Sequence, residues 1–286
     1  MTLDVSIVIP TYNQKPRYLS EAIESALNQS YPRSRYEILV VDDGSTKVLP
    51  DEVVAKFSKS GVSLLKKRHG GPAHTLNAGI RSMKGRYFKW LSSDDALCED
   101  ALEILMSKAD ENSVVYGDWA RMDENSKFVD VFYEPTFLNA KEMKNYLWRK
   151  YFGNASAALI PKSAFAKVGL FDPHWPYYED YDWWLRAAFL HGYSFVHADG
   201  IIAKYRVHLG QLTLQGGGKP LIKWQIRKRL FFAQKASPSF DDLSKPTIFA
   251  LVTQMFVSET ADLYRMTFRH SSPPVFLKKM RRKLAP

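Results

Sequence analysis

Cysteine occurs once, at Cys98, in 286 residues. A single thiol excludes an internal disulfide and any cysteine-rich zinc site, and it fits a reducing compartment. Long hydrophobic runs are missing as well. The longest uncharged apolar stretch, Pro246 to Val257, is about half of the ~20 residues that a membrane span needs. Met1 to Asp4 carries no basic region ahead of the first apolar run, so no secretory leader is expected. Together these absences predict a cytoplasmic protein, at most peripheral at the inner face of the cell membrane. Repeats and low-complexity segments are absent, and no glycine fingerprint follows the first apolar run, which excludes the dinucleotide-binding motif of oxidoreductases. Hydrophobic content of 45% and charged content of 24% are those of an ordinary globular chain.

The net charge of +10 is unevenly placed. Residues 1–218 hold 26 basic and 26 acidic residues, whereas residues 219–286 hold 14 basic and 4 acidic. Gly216-Gly217-Gly218 marks the composition change and reads either as a hinge or as a mobile loop near a site. The expected organisation is therefore a catalytic domain over 1–218, divided near residue 117, and a basic amphipathic helical extension over 219–286. In that extension Lys223, Arg227, Lys228 and Arg229 alternate with Trp224, Ile226, Phe231 and Phe232. Such a helix suits an anionic membrane surface or, equally, the flank of the main domain. A neutral main domain without a nucleic-acid module argues against nucleic-acid binding. The oligomeric state is not legible.

Three apolar runs end in polar clusters. Val5 to Ile9 leads into Pro10-Thr11-Tyr12-Asn13, Glu37 to Val41 into Asp42-Asp43-Gly44-Ser45, and Tyr87 to Leu91 into Ser92-Ser93-Asp94-Asp95. Between the first two lies a stripe of Leu19, Ala22, Ile23, Ala26 and Leu27 at the spacing of one buried helix face. Strand, helix, strand implies a parallel sheet, whose ligands bind outside the carboxyl ends of the strands. The three clusters thus converge on one edge. Adjacent carboxylates such as Asp94 and Asp95 repel, and a hard divalent cation is one remedy. The alternative is that they cap the helix expected from Ala101.

A second acidic cluster, Glu179-Asp180-Tyr181-Asp182-Trp183-Trp184, opens another expected helix that closes at His191-Gly192. Asp182 and Arg186 are spaced as an i, i+4 ion pair and belong to structure. A carboxylate beside tryptophan faces suits a sugar-like ligand and can take a hydroxyl proton. Further on, Arg206 is a candidate phosphate partner and His208 a candidate metal ligand.

Ser6 to Asn13, Val40 to Thr46, Asn77-Ala-Gly79 through Asp95, and Glu179 to Trp184, extended by Tyr205 to His208, resemble in order the motifs of inverting family 2 glycosyltransferases. The resemblance covers roughly residues 5–210 and implies an α/β GT-A fold, a Rossmann-like sandwich with a mainly parallel central sheet. It implies a nucleotide-sugar donor, usually a UDP sugar, and Mn²⁺ or Mg²⁺. The acceptor would be a glycan or a lipid-linked sugar. Carried over, Pro10, Thr11, Tyr12, Asn13, Asp42, Asp43, Ser93 and Asp94 border the nucleotide. Asp94, Asp95 and His208 are the metal candidates, Asp180 the catalytic base and Glu179 its helper, with Trp183 and Trp184 towards the acceptor. Serine at 92, histidine at 69 and leucine at 76 depart from the family pattern. The alternative is a sugar-nucleotide or glycan-binding protein on the same fold without catalysis.

Overall fold

The computed structural model describes residues 3–47, 51–150, 153–175 and 178–212. The triple glycine and the basic extension expected over 219–286 lie outside the described residues.

Val5–Thr11 (β1), Tyr36–Asp42 (β2), Val62–Lys66 (β3) and Tyr87–Trp90 (β4) lie side by side and parallel, in the order β3-β2-β1-β4. β1 is almost entirely buried, as a strand covered on both faces must be. The sheet continues from β4 through Ala158–Pro161 (β8), Ser113–Met122 (β6) and Ser194–Arg206 (β9) to Ala96–Leu97 (β5). β8 and β5 run antiparallel to their neighbours, and β6 pairs parallel with β9. The mainly parallel sheet is thus present, and β6 straddles the division expected near residue 117.

Helices cover both faces. Pro16–Leu27 (α1) starts with proline in its first turn, where no N–H is needed, and buries Leu19, Ala22, Ile23 and Ala26 as the stripe predicts. Asp51–Lys59 (α2), Pro72–Ser82 (α3), Ala101–Ser107 (α4), Ala140–Arg149 (α5) and Lys162–Val168 (α6) follow. α3 packs so closely on β1 that a Cβ added at Gly79 would collide with Val8. The last helix of the described residues, Glu179–Leu185 (α7), continues through a wider turn over Arg186–Leu190 and stops before Gly192 at φ +70°.

The aromatic- and charge-rich stretch over 118–153 carries regular elements. β6 runs on to Met122 and pairs with Phe128–Phe132 (β7). The charges of β6 find partners inside: Arg121 is buried because it forms a two-pronged bond to Asp130 at 2.7 and 2.8 Å, and Asp118 accepts the Glu134 N–H. No described helix is long and apolar enough to cross a membrane.

Candidate active site

The ends of β1 and β2 are laced together. Asn13 turns the chain at φ +48°, and its Oδ1 accepts from the Thr46 and Lys47 backbone N–H groups at 2.9 and 3.0 Å. Its own N–H donates to Ser45 Oγ at 2.8 Å, and Asp42 Oδ1 accepts from Ser45 N and Oγ. Asp42 therefore supports the turn. A cavity of about 50 Å³ opens here, lined by Thr11, Gln14, Asp42, Ser45, Lys47 and Lys66 among others. Tyr12, exposed beyond Pro10 and the buried Thr11, stacks on His69 with ring centres 4.2 Å apart. Gln14 reaches across to Ser93 Oγ at 3.3 Å, joining this edge to the end of β4.

Asp43 is buried. Its carboxylate accepts from the Gly70 and Gly71 N–H groups at 3.0 and 2.8 Å and pairs with Lys67 and with His69. Burial pushes its pKa up, but the Lys67 ammonium and the Gly71 amide outweigh that and hold it below the usual carboxylate value. Asp43 thus pins the loop ahead of α3.

Asp94 and Asp95 part company. Asp94 Oδ2 meets His208 Nε2 at 3.1 Å, with a fifth of the Asp94 side chain exposed. Asp95 is buried: Oδ2 accepts from Ser156 Oγ at 2.7 Å and Oδ1 from the Arg206 N–H at 3.0 Å. Burial first, and the charge of Asp94 second, raise its pKa. Neither aspartate caps α4, whose N-cap position is Asp100. Beneath the pair, Lys89 is fully buried and donates to Ser156 O and Trp90 O; burial pushes its ammonium down to about 7, against the pull of Asp95. Arg206, expected as a phosphate partner, is buried and donates to Asp94 O, Ser126 Oγ and Glu21 Oε2 instead.

At the start of α7, Glu179 and Asp180 are each 7% exposed. Asp180 Oδ1 accepts from the Tyr181 N–H at 2.7 Å. Burial, then the neighbouring Asp180 charge, raises the Glu179 pKa. Trp183 and Trp184, expected towards the acceptor, belong to the core: they are 0% and 3% exposed, meet edge to face at 5.5 Å, and Trp183 donates to Gly169 O. Aromatic area of that size gains more from burial among Phe165, Phe171 and Phe195 than from a solvent-facing position. Phe171 links the two acidic regions, 5.7 Å from Trp90 at the end of β4 and 6.2 Å from Trp183 in α7. The expected Asp182–Arg186 pair is present at 3.1 Å.

The resemblance implies a divalent cation. Among the described residues, no cluster of three or more His, Cys, Asp or Glu is arranged to hold one. Asp94 and His208 do form a two-member oxygen and nitrogen set. That set fits an ion whose remaining positions are filled by substrate phosphates and water, as such ions are commonly held.

Residues missed in the sequence are Ser156, Lys67, Glu21 and Ser126. Each acts across more than twenty positions of chain, and no local spacing announces it.

Residues 6–169 match the sequence profile of Glycosyl transferase family 2. The chain belongs to that family. An uncharacterized glycosyltransferase of Rickettsia prowazekii (strain Madrid E) is 34% identical over 215 residues, 73% of this chain and 65% of that protein. A match of 28% over 145 residues to the poly(ribitol-phosphate) beta-N-acetylglucosaminyltransferase TarS of Staphylococcus aureus (strain Mu50) covers 48% of this chain and 25% of that enzyme. The chain spans 27% to 65% of the length of the Rickettsia relatives it matches. The crystal structure of S. aureus TarS 1-349 in complex with UDP-GlcNAc superposes with a TM-score of 0.64 at 18% identity, over 91% of this chain and 73% of that one. This family 2 member thus has the GT-A type α/β fold.

Proposed function

We propose that this family 2 member is an inverting glycosyltransferase that moves a sugar from a UDP-sugar to a glycan or lipid-linked acceptor. The observation that carries the reading is the separation of two acidic groups. Asp94 with His208 stands at the end of β4, and Glu179 with Asp180 stands at the start of α7. Inversion by single displacement requires a base on one face of the sugar and a stabiliser of the leaving group on the other.

In this reading Asp180 takes the proton from the acceptor hydroxyl, whose oxygen attacks the anomeric carbon as the bond to the diphosphate breaks. The neutral Glu179 that burial favours has a proton to donate in a hydrogen bond to donor or acceptor. Tyr12, lying flat on His69, offers an exposed ring face to a base, and Thr11, Gln14 and Asp42 line the adjoining cavity. Asp94 and His208 would hold Mn²⁺ or Mg²⁺, which when bound offsets the charge developing on the diphosphate.

The complexes of TarS with UDP and with UDP-GlcNAc support a UDP-sugar and make UDP-GlcNAc the first donor to try. The test is thermal stabilisation by UDP with and without Mn²⁺, followed by UDP release from UDP-GlcNAc in the presence of candidate acceptors. A ligand that binds only the folded state must raise its stability. Stabilisation by UDP together with donor turnover supports the reading. No response to UDP under either condition would end it, and tight binding without turnover on any acceptor would favour the binding-protein alternative.

A further inference from the structure

Arg206 is one of the largest fully buried side chains among the described residues, and it carries a charge. Its guanidinium is divided three ways: Nε donates to the carbonyl of Asp94 at 2.7 Å, one terminal nitrogen to Ser126 Oγ at 2.8 Å, and the other to Glu21 Oε2 at 2.5 Å. The guanidinium carbon lies 4.4 Å from the centre of the Tyr18 ring, and that ring is 5.1 Å from the His208 ring. The backbone N–H of the same residue binds Asp95. Two residues later in the chain comes His208, facing Asp94. Gln211 closes the turn by donating to Arg206 O and accepting from the His208 N–H.

We infer that Arg206, held by Glu21 and Tyr18 of α1, is a positioning residue that sets the distance and orientation between Asp94 and His208. This rests on the donor-site reading above. Burying a guanidinium is costly, and an apolar side chain would join β9 to α1 at lower cost. What an apolar residue would not supply is a planar fork with donors aimed at three separate acceptors. The fork reaches the backbone of one member of the pair, while the strand that carries it delivers the other. Glu21 accepts from Ser126 and pairs with Arg17 as well, so α1 and the β6–β7 turn both brace the clamp. Outer partners of this kind typically change the affinity of a metal or diphosphate site by about 10–100-fold when removed.

The test uses the full chain as wild type, Arg206→Lys and Glu21→Gln. Two quantities are read: the ratio of UDP affinity with Mn²⁺ to UDP affinity without it, and the Nε2 chemical shift of His208 in ¹⁵N-histidine-labelled protein at fixed pH without ligand. The expected result is a fall of about tenfold in the ratio for both variants, with the His208 resonance moving towards that of a free imidazole. A lower melting temperature with neither quantity changed would reduce Arg206 to packing and overturn the inference. Should Arg206→Lys fail to fold, Glu21→Gln decides, because Glu21 is part-exposed and glutamine keeps its shape. If wild type shows no effect of Mn²⁺ on UDP binding, the metal-dependent donor reading fails, and the unliganded His208 resonance decides the positioning role by itself.

Discussion

Asp94–Asp95 at the end of β4 and Glu179–Asp180 at the start of α7 are both neighbouring carboxylates, yet the fold treats them differently. The first pair is split. Asp94 keeps a surface towards solvent and His208, while Asp95 is drawn inward by the Ser156 hydroxyl and the Arg206 N–H. The second pair is buried together, and that burial, with the Asp180 charge beside it, raises the Glu179 pKa. A split pair leaves one carboxylate available to a cation and spends the other on holding the strand end. Two carboxyls buried side by side disfavour full ionisation of both, which suits proton transfer. The two pairs therefore have separable roles, and each substitution below is chosen to pull them apart.

The largest effect is expected at α7. Asp180→Asn should lower the transfer rate by about 10³-fold, within the range for loss of a general base, while UDP binding in the presence of Mn²⁺ stays as in wild type. Initial rates and binding isotherms on the same preparation check this. Near-normal turnover would move the base elsewhere and dissolve the distinction between the pairs. Asp94→Ala should do the reverse. Wild type at UDP one hundred times its dissociation constant gains about 2.7 kcal/mol of stability, and the Mn²⁺-dependent part of that gain should vanish in the variant. A variant stabilised by UDP and Mn²⁺ as fully as wild type would show that the exposed member of the split pair does not serve the donor.

How the two pairs differ was only partly legible in the sequence. Strand ends and helix faces follow local periodicity, so β1, α1 and the placement of Asp94 came from spacing alone. The i, i+4 pair of Asp182 and Arg186 was equally local. Duties assigned by distant partners left no such trace. Asp95 is turned inward by Ser156, 61 positions away, and Arg206 meets Glu21 across 185. Trp183 and Trp184 carry a composition that suits a sugar surface as well as a core, and only packing distinguishes the two. The apolar run Val114 to Tyr116 reads as a strand, but the continuation of β6 to Met122 does not, since Asp118 and Arg121 look like surface residues until their partners are known.

Asp43 offers a third carboxylate against which to sharpen the contrast, because its charge is answered by the loop ahead of α3 and by Thr75 in that helix. Asp43→Ala strips the acceptor from the Gly70 and Gly71 amides and from Lys67, and should cost about 2 kcal/mol of folding stability. The pKa direction fixes the pH dependence. A carboxylate held below its usual value stabilises the fold above that value and loses the contribution as pH falls through its native pKa. Chemical denaturation at neutral pH and under acid should therefore show the variant and wild type converging on acidification. A gap that stays constant with pH would mean that the charge of Asp43 is not what pins the loop.

The smallest effect concerns the proton of Glu179, and its sign is opposite. A carboxyl whose native pKa is raised keeps a proton that the unfolded chain has already released. Between the usual glutamate value and the raised one, the folded state binds more protons and stability declines as pH rises. Glutamine at this position has the same shape and no proton to lose. Glu179→Gln should accordingly flatten the decline, gaining about 1 kcal/mol on wild type between mildly acidic and mildly alkaline pH, and the gain should persist in saturating salt because burial rather than surface charge causes it. Denaturation curves across that range measure it directly. If the two proteins run parallel with pH, Glu179 is ionised in the fold like an ordinary carboxylate, and α7 then carries two full charges that need a counter-cation of their own.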